Sequence, residues 1–273
     1  MKKKNPITTI SMFWLGGMFI MPFLFMLMVS FKPEKELMSA QSIIPQKLEL
    51  SNYQGVVHNS VEAPIGMWFL NSVFIAGGTT LLVLLTASLA AFALTRLNIK
   101  GANIIIGIVV TTMMIPSQLL LIPLYVILSR LHLLDTPYAL MLPAAAGGFG
   151  VFMLTSFMRG LPKAIEEAAL IDGCSIAQLY WRVTLPLCGP ALATLGVFTF
   201  IASWNDYINP LVFMESVTNY TLPVGIALFQ SSYTTQYGLT IATSIISTLP
   251  LLIIFLIFQR QIIESMTSSG LKD

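Results

Sequence analysis

Charged side chains are scarce in this sequence: only 10% of its 273 residues are Asp, Glu, Lys or Arg. Soluble domains carry about 25%, so the deficit excludes an ordinary soluble fold. The 56% share of hydrophobic residues indicates a membrane protein. A formal net charge of +2 provides no basic surface for a phosphate backbone. We therefore expect a chain embedded in the lipid bilayer, without a nucleic-acid partner.

Motifs of catalysis and cofactor binding are also missing. The sequence has no G-x-x-x-x-G-K-[ST] phosphate-binding loop, so we do not expect this chain to bind ATP by that route. His58 and His132 are isolated histidines, and Cys174 and Cys188 are too few for a disulfide framework. The sequence therefore predicts no catalytic residue, no metal site and no bound cofactor.

Long apolar runs are what the sequence does have. A helix that crosses a bilayer needs about 20 mostly apolar residues, and six runs reach that length without the two-residue alternation of barrel strands. We expect an all-α, polytopic bundle of six transmembrane helices in a single domain, residues 1–273. The predicted spans are Ile7–Phe31, Met67–Leu94, Ile104–Leu128, Tyr138–Met158, Leu187–Met214 and Leu239–Phe258.

Lysine and arginine are more frequent on one side of these spans. That side carries Lys2, Lys3, Lys4, Arg96, Lys100, Arg159, Lys163, Arg182, Arg260 and Lys272. The other side carries Lys32, Lys35, Lys47 and Arg130. Basic loops stay in the cytoplasm, so we predict a multi-pass protein of the cell membrane with both termini, and the loop 159–186, in the cytoplasm.

The loop 159–186 contains start and stop signals for a short helix. Pro162 is tolerated in a first helical turn, and Gly173 is typical of the left-handed position that ends a helix. Between them, Ala164, Ala168 and Ile171 recur at i, i+4 and i+7, which predicts one small apolar face.

A second helix is predicted directly after the first. Ser175 and Gln178 match the capping box that begins a helix. We expect this helix to continue until Pro186 redirects the chain into the fifth span.

The same loop resembles a motif of a known family. Glu167-Ala168-Ala169, then Asp172-Gly173, then Val183-x-Leu185-Pro186 resembles the EAA motif of permease subunits of ATP-binding cassette (ABC) importers, with departures at Cys174 and Val183. In that family the motif forms a coupling helix that seats in a cleft of the ATPase subunit. The resemblance implies that the ATPase-coupling residues are Ala164, Glu167, Ala168, Ala169, Ile171, Asp172 and Gly173.

Other segments resemble the permeases of carbohydrate importers, and the six-span length resembles the subunit type of the maltose importer's smaller permease. These segments are 88–96, 115–118, 122–125, 134–138 and 204–207. The resemblance implies a second permease subunit, two ATPase subunits that carry ATP and Mg, and an extracellular or periplasmic solute-binding protein. It also implies that this chain is not itself an enzyme.

The scarcity of charged residues within the spans indicates what charge the transported solute carries. No Lys or Arg lies within the cores of spans 2 to 6, and acids are almost absent there, so a neutral sugar or oligosaccharide is the solute that fits best. A permease of the same class for amino acids or polyamines is the main alternative. An ion-coupled secondary transporter needs acids near the midplane, where only Asp206 is available.

Two apolar spans carry candidate substrate-path residues. Pro116 and Pro123 predict kinks in span 3, which either line the path, with Gln118 inward, or are packing features. The end of span 5 either contributes to the path or forms an interfacial aromatic belt. Its candidates are Trp204, Asn205, Asp206 and Tyr207.

The loop from about Glu215 to Gly238 lies on the external side by the charge pattern. At about two dozen residues it is longer than most connections, and by resemblance it faces the solute-binding protein. Tyr220, Gln230 and Tyr233 are the predicted contacts. The alternative is a simple connector.

Overall fold

The computed structural model describes residues 6–39, 44–58, 64–231 and 237–270. Most of these residues are helical, and none of them lies in a β-strand. The longer helices are α1 (Pro6–Val29), α4 (Ile65–Arg96), α5 (Ala102–Thr112), α6 (Leu121–Arg130), α8 (Gly148–Arg159), α12 (Gly189–Trp204), α14 (Leu222–Ser231) and α15 (Tyr237–Gly270). The shorter ones are α2 (Glu34–Ser39), α3 (Ser51–His58), α7 (Tyr138–Ala145), α9 (Lys163–Ile171), α10 (Ile176–Gln178), α11 (Leu185–Leu187) and α13 (Ile208–Phe213).

Four helices in the described part of the chain are long and apolar enough to cross a membrane: Ile10–Val29, Ile65–Arg96, Tyr138–Arg159 and Tyr237–Arg260. Two bent pairs bring the number to as many as six, if each pair is one span. The prediction of an all-α polytopic membrane protein is confirmed, and the predicted six is the upper end of this range.

The third predicted span is broken rather than gently kinked. Ala102–Thr112 and Ser117–Arg130 meet at 89°, and Pro116 directly precedes the 3₁₀ turn Ser117–Leu120. The second expected kink, at Pro123, is wrong. Pro123 lies in the first turn of α6, where a missing N–H leaves no bond unmade.

The fifth predicted span is shorter than expected. Helix α12 ends at Trp204, and α13 begins at Ile208, so the prediction of one helix to Met214 is wrong. The reason is local: Asp206 accepts the backbone N–H of Asn209 at 3.3 Å and its side-chain amide at 2.8 Å. Asn209 lies in the first turn of α13, whose N-cap residue is Tyr207, so the Asp206 carboxylate satisfies one of the unpaired N–H groups at the start of this new helix.

The described residues form two compact units. One combines those up to Met67 with Val224–Pro250, and the other combines Trp68–Pro223 with those from Leu251 onward. The single domain predicted from the sequence stays a prediction.

Within the larger unit, α4, α8 and α12 pack into one apolar core that continues into the loop 159–186. Ala87 and Ala91 of α4 are 1% and 0% exposed. A Cβ on Gly150 of α8 would lie only 2.9 Å from the Cβ of Ala87. Small residues therefore allow these two helices to approach closely, as is typical of membrane helix pairs.

A second apolar cluster in the larger unit joins α6, α7 and α13, and Asp135 lies beside it. Asp135 adopts a left-handed φ of 59° and accepts the N–H groups of Glu215 and Ser216, each at 3.0 Å, and the hydroxyl of Ser216 at 2.5 Å. Partial burial raises the pKa of this carboxyl, but the bonds from Ser216, Glu215 and Asn219 outweigh it and hold the pKa below 3.8.

The smaller unit is organised by polar side chains that bind backbone groups. Asn52 donates to the carbonyls of Ser30 and Lys32, each at 2.8 Å. Glu34 accepts the N–H groups of Tyr237 and Gly238 at 3.0 and 2.8 Å, and so caps the start of α15. A side chain at Gly238 would overlap the amide of Asn52, so glycine is required there.

We expect Asp135→Asn to increase amide exchange at Glu215 and Ser216 by about tenfold, since an amide accepts more weakly than a carboxylate. Because the folded-state pKa is lowered, the charged form stabilises the loop above the ordinary pKa. In the wild type, protection should decrease only as the pH falls below 3.8 and through the lowered value. Hydrogen exchange read by mass spectrometry checks both. The amide of Leu222, which donates to Ser72 Oγ at 2.8 Å, is the internal control. Equal exchange of the Glu215 and Ser216 amides in the wild type and in Asp135→Asn would contradict the role given to Asp135.

Candidate functional site

Helix α9 begins and ends where the sequence predicts. It starts after Pro162 and stops at Gly173, whose φ of 85° is left-handed. Gly173 N–H donates to the carbonyl of Leu170 at 3.1 Å, and Cys174 N–H donates to that of Ala169 at 3.0 Å. These two bonds form a Schellman motif, which satisfies the last carbonyls of the helix.

One face of α9 is uncovered in the described chain. Ala164 and Ala168 are exposed, and the side chain of Ile171 is 86% exposed. Glu167 and Asp172 are exposed on the same helix, Asp172 as its last capping residue. The predicted small apolar face is therefore real, and it points away from the core of this unit.

The opposite face of α9 is held by a buried polar group that the sequence reasoning missed. Glu166 Oε2 lies 2.5 Å from Arg96 Nε, and Glu166 Oε1 accepts the hydroxyl of Thr184 at 3.2 Å. Arg96 Nη2 donates to the carbonyl of Met158 at 2.6 Å. We call Arg96, Glu166, Thr184 and the Met158 carbonyl the Arg96 cluster. The side chains of Arg96 and Glu166 are only 6% and 7% exposed.

A signal for Glu166 was present in the sequence. Glu166 lies about half a helical turn from Ala164 and Ala168, so it must point opposite to their face and toward the core. A carboxylate there needs a partner. Its partner, Arg96, is 70 residues earlier, and the pattern within the loop does not identify it.

The second helix of the loop starts with the predicted capping box. Gln178 N–H donates to Ser175 Oγ at 3.3 Å, and Ser175 N–H donates to Gln178 Oε1 at 2.9 Å. The chain then widens into a π-helical segment, Leu179–Thr184, before α11. The sequence did not predict this segment.

The π-helical segment presents Tyr180 to α4. The Tyr180 hydroxyl lies 2.7 Å from Ser88 Oγ, and its ring packs edge-on against Phe92 with centroids 5.2 Å apart. We call this the Tyr180 contact. Tyr180 is 3% exposed, so the contact belongs to the core of the unit.

The chain turns later than predicted. Pro186 lies in the first turn of α11 and does not redirect the helix, because proline is tolerated there. The change of direction occurs at Cys188, where Ile176–Leu187 and Gly189–Trp204 meet at 75°. The prediction that Pro186 makes this turn is wrong.

The candidate path residues lie in different environments. Gln118 is exposed in the 3₁₀ turn at the break of span 3. Trp204 is 1% exposed and packs between Phe69 and Phe200, each with centroids 5.7 Å away. Trp204 is therefore enclosed by aromatic rings of this unit, and its assignment to the substrate path or to an aromatic belt stays a prediction.

The three residues after Trp204 are more accessible. Asn205 is exposed and donates to the carbonyl of Ile201 at 3.0 Å. Asp206 is half-buried, and Tyr207 is 37% exposed. They form the non-helical break between α12 and α13.

Of the candidate external contacts, Tyr220 packs partly buried against the apolar cluster beside Asp135 and donates to the carbonyl of Glu215 at 3.4 Å. The side chain of Gln230, and all of Tyr233, lie outside the described residues. Within the described part of the chain, no three His, Cys, Asp or Glu side chains come together as metal ligands.

Comparison with known proteins decides the family. The model for the binding-protein-dependent transport system inner membrane component matches residues 83–268. The chain belongs to this family. The match begins within α4 and includes all of the loop 159–186, so the resemblance based on the Glu167–Gly173 motif is confirmed. The family consists of transport components of the membrane, not of enzymes.

Two relatives are similar over nearly the whole chain. The arabinooligosaccharides transport system permease protein AraQ of Halalkalibacterium halodurans is 34% identical over 99% of each chain. The probable starch degradation products transport system permease protein AmyC of Thermoanaerobacterium thermosulfurigenes is 33% identical over 94% of this chain and 93% of its own. This permease is therefore of the sugar ABC transporter type.

A solved structure shares the fold. A chain of a bacterial ABC transporter involved in the import of the acidic polysaccharide alginate matches with a TM-score of 0.80 and 21% identity, over 95% of this chain and 98% of that one. At this identity the similarity concerns the architecture alone.

We expect Gly173→Ala to destabilise the protein by about 1–2 kcal/mol, because an L-residue is strained at the left-handed φ of the Schellman motif. The midpoint of thermal unfolding in detergent should fall by about 2–4 °C for each kcal/mol. Gly107→Ala is the matched control: that glycine lies in α5 with nothing within 4 Å of an added Cβ, and alanine is the better helix former. Equal midpoints for the two variants would contradict the cap assignment.

Proposed function

We propose that this chain is the permease subunit of an ATP-driven importer of a neutral sugar or oligosaccharide. It forms the translocation path with a second, homologous permease. Two separate ATPase subunits bind ATP and Mg, and an extracellular or periplasmic solute-binding protein delivers the solute. The loop Glu167–Pro186, in the cytoplasm together with both termini, couples the path to ATP hydrolysis.

The observation that carries this proposal is the two-sided environment of α9. Its Ala164, Ala168 and Ile171 face is uncovered, whereas Glu166 on the opposite side is buried in the Arg96 cluster. A short helix that is anchored on one face and apolar on the other is suited to insertion in a groove of a soluble partner. The small side chains allow close approach, and the largest free area is contributed by Ile171.

The cytoplasmic position of the loop is supported by charge. Arg159, Lys163 and Arg182 lie within or next to it, and basic residues near span ends favour the cytoplasmic side. The ATP-hydrolysing subunits must also lie on the cytoplasmic side, because ATP is present in the cytoplasm.

The coupling role predicts a position-specific effect of added charge. We expect Ala168→Glu to lower solute-stimulated ATP hydrolysis by the assembled transporter at least tenfold, since an unpaired charge in a closed interface costs more than about 1.4 kcal/mol. Steady-state ATP turnover in proteoliposomes, with the binding protein and solute present, is the measurement.

The matched control is Ala177→Glu. Ala177 is an exposed alanine of the same loop but lies beyond Gly173 on α10. The Ala177→Glu transporter should retain most of its solute-stimulated ATP turnover. Equal losses in both variants would contradict a docking face confined to α9, and normal turnover in Ala168→Glu would contradict the coupling role.

A neutral carbohydrate as the solute is supported by the residues of the spans. Two relatives are named for the transport of arabinooligosaccharides and of starch degradation products. The alginate importer has the same fold with an acidic polysaccharide, so the fold alone does not select the charge of the solute. The absence of Lys and Arg from the cores of spans 2 to 6 favours a neutral one.

Asp206 provides the test for the path. Asn in its place keeps a side-chain oxygen to cap α13 but removes the charge, whereas Ala removes both. If Asp206 contacts solute, Asp206→Asn should change the KM of uptake severalfold without lowering the unfolding midpoint. Uptake kinetics that are normal in Asp206→Asn and impaired only in Asp206→Ala would assign Asp206 to capping alone.

A further inference from the structure

The covalent connection from the coupling loop to the fifth span is indirect. The chain leaves α9 through the turn at Gly173, passes through the π-helical segment, and bends by 75° at Cys188 before α12 begins. A displacement of α9 is therefore not directed along the axis of α12. Movement of α9 has to be passed on through contacts between side chains.

The shortest such contact leads to α4. Arg96 is the last residue of α4, and its guanidinium spans from the Met158 carbonyl at the end of α8 to the Glu166 carboxylate of α9. Thr184 completes the group from the π-helical segment. One buried ion pair thus connects two membrane helices with both halves of the loop.

Because the Arg96 cluster is buried, its charged side chains resist separation. Glu166 and Arg96 are removed from water, and a charged group in that environment is costly unless it keeps its partners. The bond from Arg96 Nη2 to the Met158 carbonyl, at 2.6 Å, is charge-assisted and therefore short and directional, whereas the contact of Arg96 Nε with the Glu166 carboxylate is an ion pair without hydrogen-bond geometry. The two residues cannot separate without exposing an unpaired charge to the core, so α9 and the end of α4 move together.

The Tyr180 contact adds a second point at which the loop packs against α4. Ser88, Phe92 and Arg96 recur every four residues and share one face of α4. Tyr180 of the π-helical segment contacts Ser88 and Phe92 on that face. Thr184, four residues later, reaches Arg96 indirectly, through its bond to Glu166. The widened π turn is the element that presents both side chains, which is consistent with the frequent occurrence of π turns at functional sites.

We propose that the Arg96 cluster is a positioning device that transmits the movement of α9 to α4, the second membrane span, in parallel with the chain connection to α12. Arg96, Glu166 and Thr184 contact neither nucleotide nor solute in this role. They fix the orientation of the docking face, so that binding of the ATPase subunit moves two spans as one body. This inference rests on the proposed function.

Thr184 offers the mildest test, because Thr184→Val keeps the shape and removes only the hydroxyl. We expect the ratio of solute-stimulated to basal ATP turnover in the complete transporter to fall about three- to tenfold. Thr184→Ser restores the hydroxyl and should restore most of the ratio. A residue needed only for packing would give the opposite order, since serine loses a buried methyl group and valine does not.

Arg96→Gln and Glu166→Gln should reduce the same ratio at least tenfold. The matched control is Arg159→Gln: Arg159 is an exposed arginine of the same side, bonded to Asn103 Oδ1 at 2.6 Å, and its loss should leave the ratio near the wild-type value. Should a single variant fail to assemble, the double variant Arg96→Met with Glu166→Leu replaces the pair by apolar groups. Such replacements commonly keep a fold intact, and this variant should assemble with a low ratio.

The outcomes separate the two proposals. A wild-type ratio in Thr184→Val or in the assembled double variant overturns the transmission role and leaves the proposed function standing. A wild-type complex that shows no solute-stimulated ATP turnover overturns both. A low ratio in the cluster variants, with Arg159→Gln and Thr184→Ser normal, supports transmission through α4.

Discussion

The buried ion pair between Arg96 and Glu166 is the constraint on which the arrangement of the loop 159–186 depends. Two charges in an apolar core are tolerated only when each keeps its partners, and here those partners come from α4, α8, α9 and the π-helical segment. Because one face of α9 must satisfy this requirement, the orientation of the helix is fixed. Its other face, with Ile171, is thereby left exposed.

Local signals in the sequence predicted the parts of the site that depend on neighbouring residues. The start of α9 after Pro162, its end at Gly173 and the capping box at Ser175 are set within four or five residues, and each is found as expected. The same holds for the apolar face of α9, since helical periodicity alone places residues 164, 168 and 171 together.

Features that depend on distant residues were not predictable in the same way. Helical periodicity places Glu166 opposite the apolar face of α9, but it does not identify Arg96 as the partner of its carboxylate. The sequence made Trp204 a candidate for the substrate path or for an aromatic belt, and it did not predict that Phe69 and Phe200 enclose its ring. The early end of α12 had a local cause in Asp206, but hydropathy, which defined the span, does not register a cap. Chain composition therefore predicted the class and the approximate spans, while three-dimensional contacts decided the roles of individual polar and aromatic residues.

The contact between Gly150 and Ala87 limits which residues can occupy position 150. A Cβ added at Gly150 would lie 2.9 Å from the Cβ of Ala87 and 3.2 Å from Leu195 Cδ2 of α12, and carbon atoms of side chains do not normally approach so closely. Any larger residue there must therefore displace α8 from α4 and α12, so the packing of three membrane helices depends on one missing side chain.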